Sequence, residues 1–204
     1  VRRMQIEQIV PLDKKRSRVC LDNGMVFALY KGEIRALALQ EGQEVSAALY
    51  QEIYSGILLK RAKRRMLYLL GQMDRTEAQI RQKLQQGGYP EGIIEEAIAY
   101  ATDAHYLDDA RYARNYVRSQ QEKKSREQMR MSLYRKGIRR ELAEQALESE
   151  YILEDEQELI LKWVQKKNYP GETASLKEKR RICQFLMRKG FHMDDILHVL
   201  DHLT

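Results

Sequence analysis

Two adjacent aspartates, Asp108 and Asp109, are the residues whose type and spacing first suggest acid–base chemistry. They lie in the stretch "HYLDDARYARNYV" (residues 105–117), where alanine, tyrosine and valine follow them at helical intervals. A carboxylate at a helix start accepts free backbone N–H groups and complements the positive end of the helix dipole. The stretch "YILEDEQEL" (residues 151–159) is again acidic where a similar helix begins. We therefore interpret both aspartates as helix-start residues rather than a catalytic pair, and we predict that the protein is not an enzyme.

Motifs for nucleotide, metal or acyl chemistry are missing. The sequence contains no GxxxxGKS/T, GxGxxG, GxSxG or HExxH pattern. His198 and His202 are one helical turn apart, with Asp194 one turn before them, and this spacing could hold a metal on one helix face. No other soft ligands cluster near them in the sequence, so we interpret them as exposed polar side chains. We expect no metal and no cofactor.

Basic residues concentrate in two segments of a chain whose net charge is +6. Residues 60–65 read "KRAKRR", and residues 123–140 hold many basic residues and a single acid. Arg126, Arg130 and Tyr134 form one helical stripe, and guanidinium groups beside an aromatic ring suit phosphate or carboxylate ligands. A solvated face without a partner remains the alternative. The candidate residues for binding a partner or DNA are Lys60, Arg61, Lys63, Arg64, Arg65, Arg81, Lys123, Lys124, Arg126, Arg130, Tyr134, Arg135, Lys136, Arg139 and Arg140.

An internal repeat organises the rest of the chain. The segments "TEAQIRQKLQQGGY" (76–89), "SREQMRMSLYRKGI" (125–138) and "EKRRICQFLMRKGF" (178–191) align without a gap. Each helix begins at a capping pair, whose side chains reciprocally satisfy free backbone N–H groups. Each ends at a glycine followed by an apolar residue, which predicts a left-handed Schellman ending. The capping pairs are Thr76 with Gln79, Ser125 with Gln128 and Ser175 with Glu178, and the glycines are Gly88, Gly137 and Gly190.

Short β-prone stretches precede the repeats. They read "MQIEQIV", "RVCLD", "VFALY" and "RALAL" within residues 4–39. The turn "DNG" (22–24) predicts a hairpin between the second and the third, since Asn23 and Gly24 can both adopt positive φ.

The predicted fold is mainly α, with a small N-terminal β-rich element. A second helix follows each repeat glycine and a third helix follows in two copies, and tandem three-helix repeats of this kind form an elongated, curved array. The predicted boundaries are 1–50 for the β-rich element, 51–121 for a linking helix and repeat 1, 122–167 for repeat 2, and 168–204 for a truncated repeat 3.

The sequence also indicates the compartment. No apolar run approaches the roughly 20 residues that span a bilayer. The two cysteines, Cys20 and Cys183, lie far apart and lack a CxxC partner, which suits a reducing compartment. We expect a cytoplasmic protein without a disulfide and without membrane contact.

Two blocks carry a resemblance to a known family. "YLDDARYARNYV" (106–117) followed by "KKSREQMRMSLYRKGI" (123–138), in tandem three-helix units, resembles the bacterial RecX regulatory family. The resemblance covers roughly residues 60–204, and the β-prone N-terminal part is less diagnostic. It implies a non-enzymatic modulator of the RecA recombinase, active in homologous recombination, DNA repair and the SOS response.

The resemblance also implies the partners. Family members bind in the helical groove of the RecA filament on single-stranded DNA and usually inhibit it, so we expect the filament and its single-stranded DNA as partners of a monomeric protein. The competing hypothesis is a helical-repeat protein that binds nucleic acid directly, without a recombinase. Both hypotheses use the same basic residues, and they differ in whether binding requires the filament.

Overall fold

The protein is mainly helical, with a small antiparallel sheet near its N-terminus, which confirms the predicted combination of helical repeats and a β-rich element. The computed structural model describes residues 4–203. The chain divides into two compact units, Val1–Asp108 and Asp109–Thr204. Within the described residues, no helix is both long enough and apolar enough to cross a bilayer.

Four strands form the sheet of the first unit: β1 (Met4–Pro11), β2 (Arg16–Leu21), β3 (Val26–Tyr30) and β4 (Glu44–Val45). They are antiparallel and lie in the order β3–β2–β1–β4. Burial alternates along β2, where Ser17, Val19 and Leu21 are buried. This alternation is expected of a sheet that has one face against a core.

The β2–β3 hairpin turns at the predicted place, but not in the predicted conformation. Gly24 is left-handed, with φ +83°, whereas Asn23 is not. Gly24 N donates to Leu21 O at 3.0 Å and Leu21 N donates to Met25 O at 2.9 Å, the bonding of a type I turn followed by a left-handed glycine. The expectation of two successive positive φ angles is therefore wrong. The Asn23 side chain instead accepts a hydrogen bond from Met25 N at 2.9 Å.

The prediction of a strand at residues 35–39 is also wrong. Those residues end helix α1 (Lys31–Ala36) and form the turn after it, where Ala38 has φ +50°. Glu33 stabilises the start of this helix, because its carboxylate accepts the Tyr30 N–H at 2.8 Å. The remaining strand of the sheet is β4, whose two residues are too few to show a periodicity in the sequence.

The other helices of the first unit follow the sheet: α2 (Ala47–Gln51), a π-helical segment (Glu52–Leu59), α3 (Lys60–Gln72), α4 (Glu77–Gln86) and α5 (Glu91–Asp103). One apolar core joins the sheet to these helices. Phe27 and Leu29 of β3, Met66 of α3, Ile80 of α4 and Ile94 of α5 are all buried in it. The core therefore fixes one face of α3 and leaves its other face to solvent.

The second unit is entirely helical in its described part: α6 (Asp109–Gln120), α7 (Arg126–Arg135), α8 (Arg140–Glu150), α9 (Leu153–Lys166), a 3₁₀ turn (Gly171–Thr173), α10 (Leu176–Arg188) and α11 (Met193–Asp201). It contains two apolar cores. Val117, Met129 and Leu147 contribute to the core of α6, α7 and α8. Ile160, Leu186 and Ile196 contribute to the core of α9, α10 and α11.

The predicted helix starts of the repeat are confirmed. In α4, α7 and α10 the capping hydroxyl accepts the N–H of the third helical residue at 3.2, 3.2 and 3.3 Å. Thr76 and Ser125 are 0% exposed. Because an unsatisfied buried polar group costs about 1–3 kcal/mol, these caps are needed where they lie.

The predicted helix ends are confirmed as well. Gly88, Gly137 and Gly190 have φ angles of +79°, +81° and +88°. The residue after each glycine donates its N–H to the carbonyl of Leu84, Leu133 or Leu186, at 3.3, 3.1 and 3.3 Å, as in a Schellman motif.

The apolar cores group the helices into threes that begin at different helices from the predicted repeats. Helix α6 packs with the α7 and α8 that follow it, and α9 packs with α10 and α11. The boundaries predicted before residues 122 and 168 thus fall between the first and second helices of these two groups. The domain limits stay a prediction, but each core begins one helix earlier and the last group has all three helices.

Candidate functional site

Arg61 belongs to the predicted basic set, but the structure ties it into the first unit. Its guanidinium donates to Glu33 at 3.0 and 3.1 Å and to the carbonyl of Ala28 at 2.7 Å. Its centre lies 4.9 Å from the ring centroid of Tyr30. The side chains of Arg61 and Glu33 are 23% and 27% exposed, so this pair is largely withdrawn from solvent. Arg61 therefore holds α3 against the sheet.

Arg81 is surrounded by acids of its own unit. It pairs with Glu77 at 3.0 Å and with Glu91 and Glu95 at 2.5 Å each. Hydrogen bonds to Glu95 and Glu77 raise the pKa of the Arg81 guanidinium well above its usual value. A bound anion would have to displace these carboxylates.

Arg130 occupies the equivalent position in the second unit and is held in the same way. It pairs with Glu144 at 2.7 Å and with Glu127. The hydrogen bond to Glu144 raises the pKa of Arg130. Tyr134, one turn further along the stripe, donates to Glu144 at 2.8 Å, and that bond raises the pKa of Tyr134. The structure thus brings Arg130 and Tyr134 together, around an internal carboxylate.

Four cations of α3 face away from the core of the first unit. We call them the α3 face: Lys60, Lys63, Arg64 and Arg65. Among residues 4–203, no acidic side chain lies within ion-pair distance of these four. The Lys63 ammonium lies 4.5 Å from the Tyr100 ring centroid and the Arg65 guanidinium 5.6 Å from that of Tyr68. Tyr68 is 58% exposed, so this face presents cations together with an accessible ring.

Lys123, Lys124 and Arg135 line a groove of the second unit whose opposite wall was not predicted. We call it the α7–α10 groove, because it runs between the start of α7 and the end of α10. Its lining residues are Lys123, Lys124, Glu127, Gln128, Met131, Ser132, Arg135, Trp163, Arg188, Lys189 and Gly190. The lining includes five cations and one acid, and that acid is paired with Arg130.

A buried joint fixes the two walls of this groove. The Ser125 hydroxyl, which caps α7, donates to the carbonyl of Lys189 at the end of α10, at 2.8 Å. The N–H of Arg126 donates to the Glu156 carboxylate at 3.1 Å. Glu156 is 3% exposed, and its burial raises its pKa. The groove is therefore set by backbone and buried groups rather than by mobile side chains.

Trp163 contributes the aromatic part of the groove. The Lys189 ammonium lies 4.6 Å from its ring centroid, and the Phe185 ring packs against it in a T-shaped arrangement with the two ring centroids 5.6 Å apart. The arrangement repeats an earlier one, in which the Lys136 ammonium lies 5.7 Å from the ring of Tyr116. The repeated tripeptide Arg-Lys-Gly at 135–137 and 188–190 was a sequence signal for this equivalence.

The remaining predicted residues lie around α7 and α8. The Lys124 ammonium donates to the Tyr116 hydroxyl at 2.6 Å. The Arg126 guanidinium lies 5.3 Å from the ring centroid of Tyr151. Arg139 and Arg140 are exposed at the start of α8. Of these four residues, only Lys124 lines the α7–α10 groove.

The aspartates and histidines take the places that the sequence suggests. Asp109 is the first residue of α6 and Asp108 immediately precedes it, which confirms their position at a helix start. His202 Nδ1 lies 2.6 Å from the carbonyl oxygen of His198. Residues 4–203 contain no cluster of three or more His, Cys, Asp or Glu side chains that could hold a metal. Both cysteine thiols are free.

Comparison with known proteins assigns this architecture to a class of tandem three-helix regulatory proteins. Family sequence models for the first, second and third three-helix domains of RecX match residues 62–100, 108–147 and 154–200. "Regulatory protein RecX" of Caldanaerobacter subterraneus subsp. tengcongensis is 30% identical over 97% of this chain and 99% of its own length. The protein of the same name from Clostridium acetobutylicum is 28% identical over 93% of this chain and 91% of its own length.

Solved structures agree with the sequence relatives. A crystal structure of regulatory protein RecX aligns with a TM-score of 0.68 at 25% identity, covering 98% of this chain and all of that chain. The crystal structure of RecX from Lactobacillus salivarius aligns with a TM-score of 0.65 at 26% identity, covering 71% of this chain and 96% of that chain. The chain belongs to the RecX family of regulatory proteins.

Proposed function

We propose that the protein regulates a RecA-type recombinase by binding its filament on single-stranded DNA, in the helical groove of that filament, and inhibiting it. Membership of the RecX family supports this proposal. So do the cations of the α3 face and the α7–α10 groove, several of which lack an internal acid and are free to meet a polyanionic assembly. Basic surfaces on two separate units would also permit binding at more than one point.

No chemistry of the protein's own is needed for this activity. A regulator that occupies a filament acts by binding free energy alone, through contacts that alter access to the filament or its stability. The residues that bind the filament are then the cations without an internal acid. Arg61, Arg81 and Arg130 instead stabilise the fold through their ion pairs.

Cosedimentation with a preformed recombinase filament tests the proposal. We expect the wild-type protein to pellet with the filament and to slow strand exchange. Lys60→Ala with Arg64→Ala should weaken both effects, because these two exposed cations lie one turn apart on the α3 face. The control is Lys162→Ala with Lys177→Ala, which removes the same charge from exposed positions elsewhere. A wild-type protein that stays in the supernatant and leaves strand exchange unchanged would refute the proposed function.

A further inference from the structure

We infer that the α7–α10 groove binds single-stranded nucleic acid, with phosphates on its cations and a base against Trp163. The inference rests on the proposed function, which places the protein at single-stranded DNA, and it names the site and the chemistry of that contact. Trp163, Arg188 and Lys189 are outside the basic set predicted from the sequence.

The charges of the groove are available to a ligand. In the part of the chain that the structure describes, Lys123, Arg135 and Arg188 have no acidic side chain within ion-pair distance. The acid in the lining, Glu127, is neutralised by Arg130. An incoming phosphate therefore meets cations without first displacing a carboxylate. This is the opposite of the situation at Arg81, where three carboxylates already surround the guanidinium.

The groove also has a fixed shape. Ser125 joins the start of α7 to the end of α10 through the 2.8 Å bond to the Lys189 carbonyl, and Ser125 is 0% exposed. Gly190 leaves no room between these elements, since a Cβ there would lie 2.8 Å from the Ser125 hydroxyl. The backbone that carries these cations therefore needs no ordering on binding, and only their side chains lose conformational freedom, which favours affinity.

The ligand chemistry follows from what lies beside the cations. Trp163 and Met131 add apolar surface to the lining, and Met131 is 42% exposed. An acidic peptide would satisfy the cations but leave this surface unmatched. A nucleotide offers a phosphate and an aromatic base together, and its base is free to stack only when the strand is unpaired.

The test uses the full-length protein and an end-labelled oligothymidylate, without any recombinase. Trp163 is the single tryptophan of the chain, so its fluorescence reports directly on the groove. We expect the oligonucleotide to quench this fluorescence. An abasic strand with the same number of phosphates should bind at least about fivefold more weakly, as expected for the loss of one base–aromatic stack.

Variants then separate the groove from general charge. Arg135→Ala with Arg188→Ala should lower the slope of log affinity against log salt by about 1.4, from two lost single-strand phosphate contacts of about 0.7 each. The control, Lys162→Ala with Lys177→Ala, should keep the wild-type slope. Circular dichroism and the Trp163 emission of the free variants verify folding.

Three results would overturn the inference. They are equal affinity and slope in the groove and control variants, unchanged Trp163 fluorescence on binding, and displacement of the oligonucleotide by polyglutamate together with equal affinity for the abasic strand. The last result would assign the groove to an acidic protein segment. Each is distinct from a failure of the proposed function, which is measured by filament cosedimentation of the wild-type protein.

Discussion

Replacing Gly190 by alanine should destabilise the second unit by more than the cost of placing alanine at a positive φ angle. The φ angle of Gly190 is +88°, a conformation that costs an L-residue about 1–2 kcal/mol. The new Cβ would lie 2.8 Å from the Ser125 hydroxyl and 3.1 Å from the Glu127 Cβ. Ser125 cannot move aside freely, because its hydroxyl accepts the Gln128 N–H at the start of α7 and donates to the Lys189 carbonyl.

The expected loss is the sum of two effects. Inserting a methyl group into a tightly packed contact typically costs about 1–3 kcal/mol, so the free energy of unfolding should fall by about 2–5 kcal/mol in total. Gly171 supplies a matched control within the same unit. It also has a positive φ, +65°, but a Cβ there would have no heavy atom within 4 Å. Gly171→Ala should therefore cost only about 1–2 kcal/mol.

Urea denaturation followed by Trp163 fluorescence measures both variants, because this tryptophan lies in the second unit and reports its unfolding. The midpoint of Gly190→Ala should lie clearly below that of Gly171→Ala, with similar m-values. Equal midpoints would show that the contact between the end of α10 and the start of α7 is loose, and that the groove has no rigid frame.

Two further predictions concern charged groups inside the units. Arg61→Ala should lower the free energy of unfolding of the first unit by about 1–3 kcal/mol, since it removes charge-assisted bonds to Glu33 and Ala28; urea unfolding followed by circular dichroism measures this, and a change within about 0.5 kcal/mol would contradict it. Burial raises the pKa of Glu156, so the charged carboxylate opposes folding at neutral pH, and this cost disappears as the pH falls through the raised pKa towards the ordinary value of 4.5. Glu156→Gln keeps an acceptor for the Arg126 N–H and should therefore raise the urea midpoint at neutral pH, with an advantage that shrinks on acidification; an advantage independent of pH would refute this explanation.

Local chemistry explains why the helix termini could be predicted from the sequence. A capping box and a Schellman ending depend on residues that lie close together in the sequence. Thr76 and Ser125 could therefore be predicted as helix starts and Gly137 as a helix end. The grouping of the helices into threes could not be predicted in the same way, because a periodic sequence does not show which helix begins a unit. The shared core shows that α6 packs with the helices after it.

The basic site shows the same limit at the level of single side chains. A helical wheel correctly places Arg130 beside the apolar face, but it cannot show that Glu144 of the next helix reaches it at 2.7 Å. The stripe was identified by helical spacing and residue type, whereas a binding cation differs from a structural one in whether an acid of the protein already neutralises it. The repeated Arg-Lys-Gly tripeptide indicates the position of the groove better than the stripe does. It aligns Lys189 with Lys136, and in each case the ammonium lies against an aromatic ring, Trp163 or Tyr116. Trp163 lies in the lining of the α7–α10 groove, together with cations that no internal acid neutralises. We therefore place the nucleic-acid contact in this groove, between the last two three-helix groups.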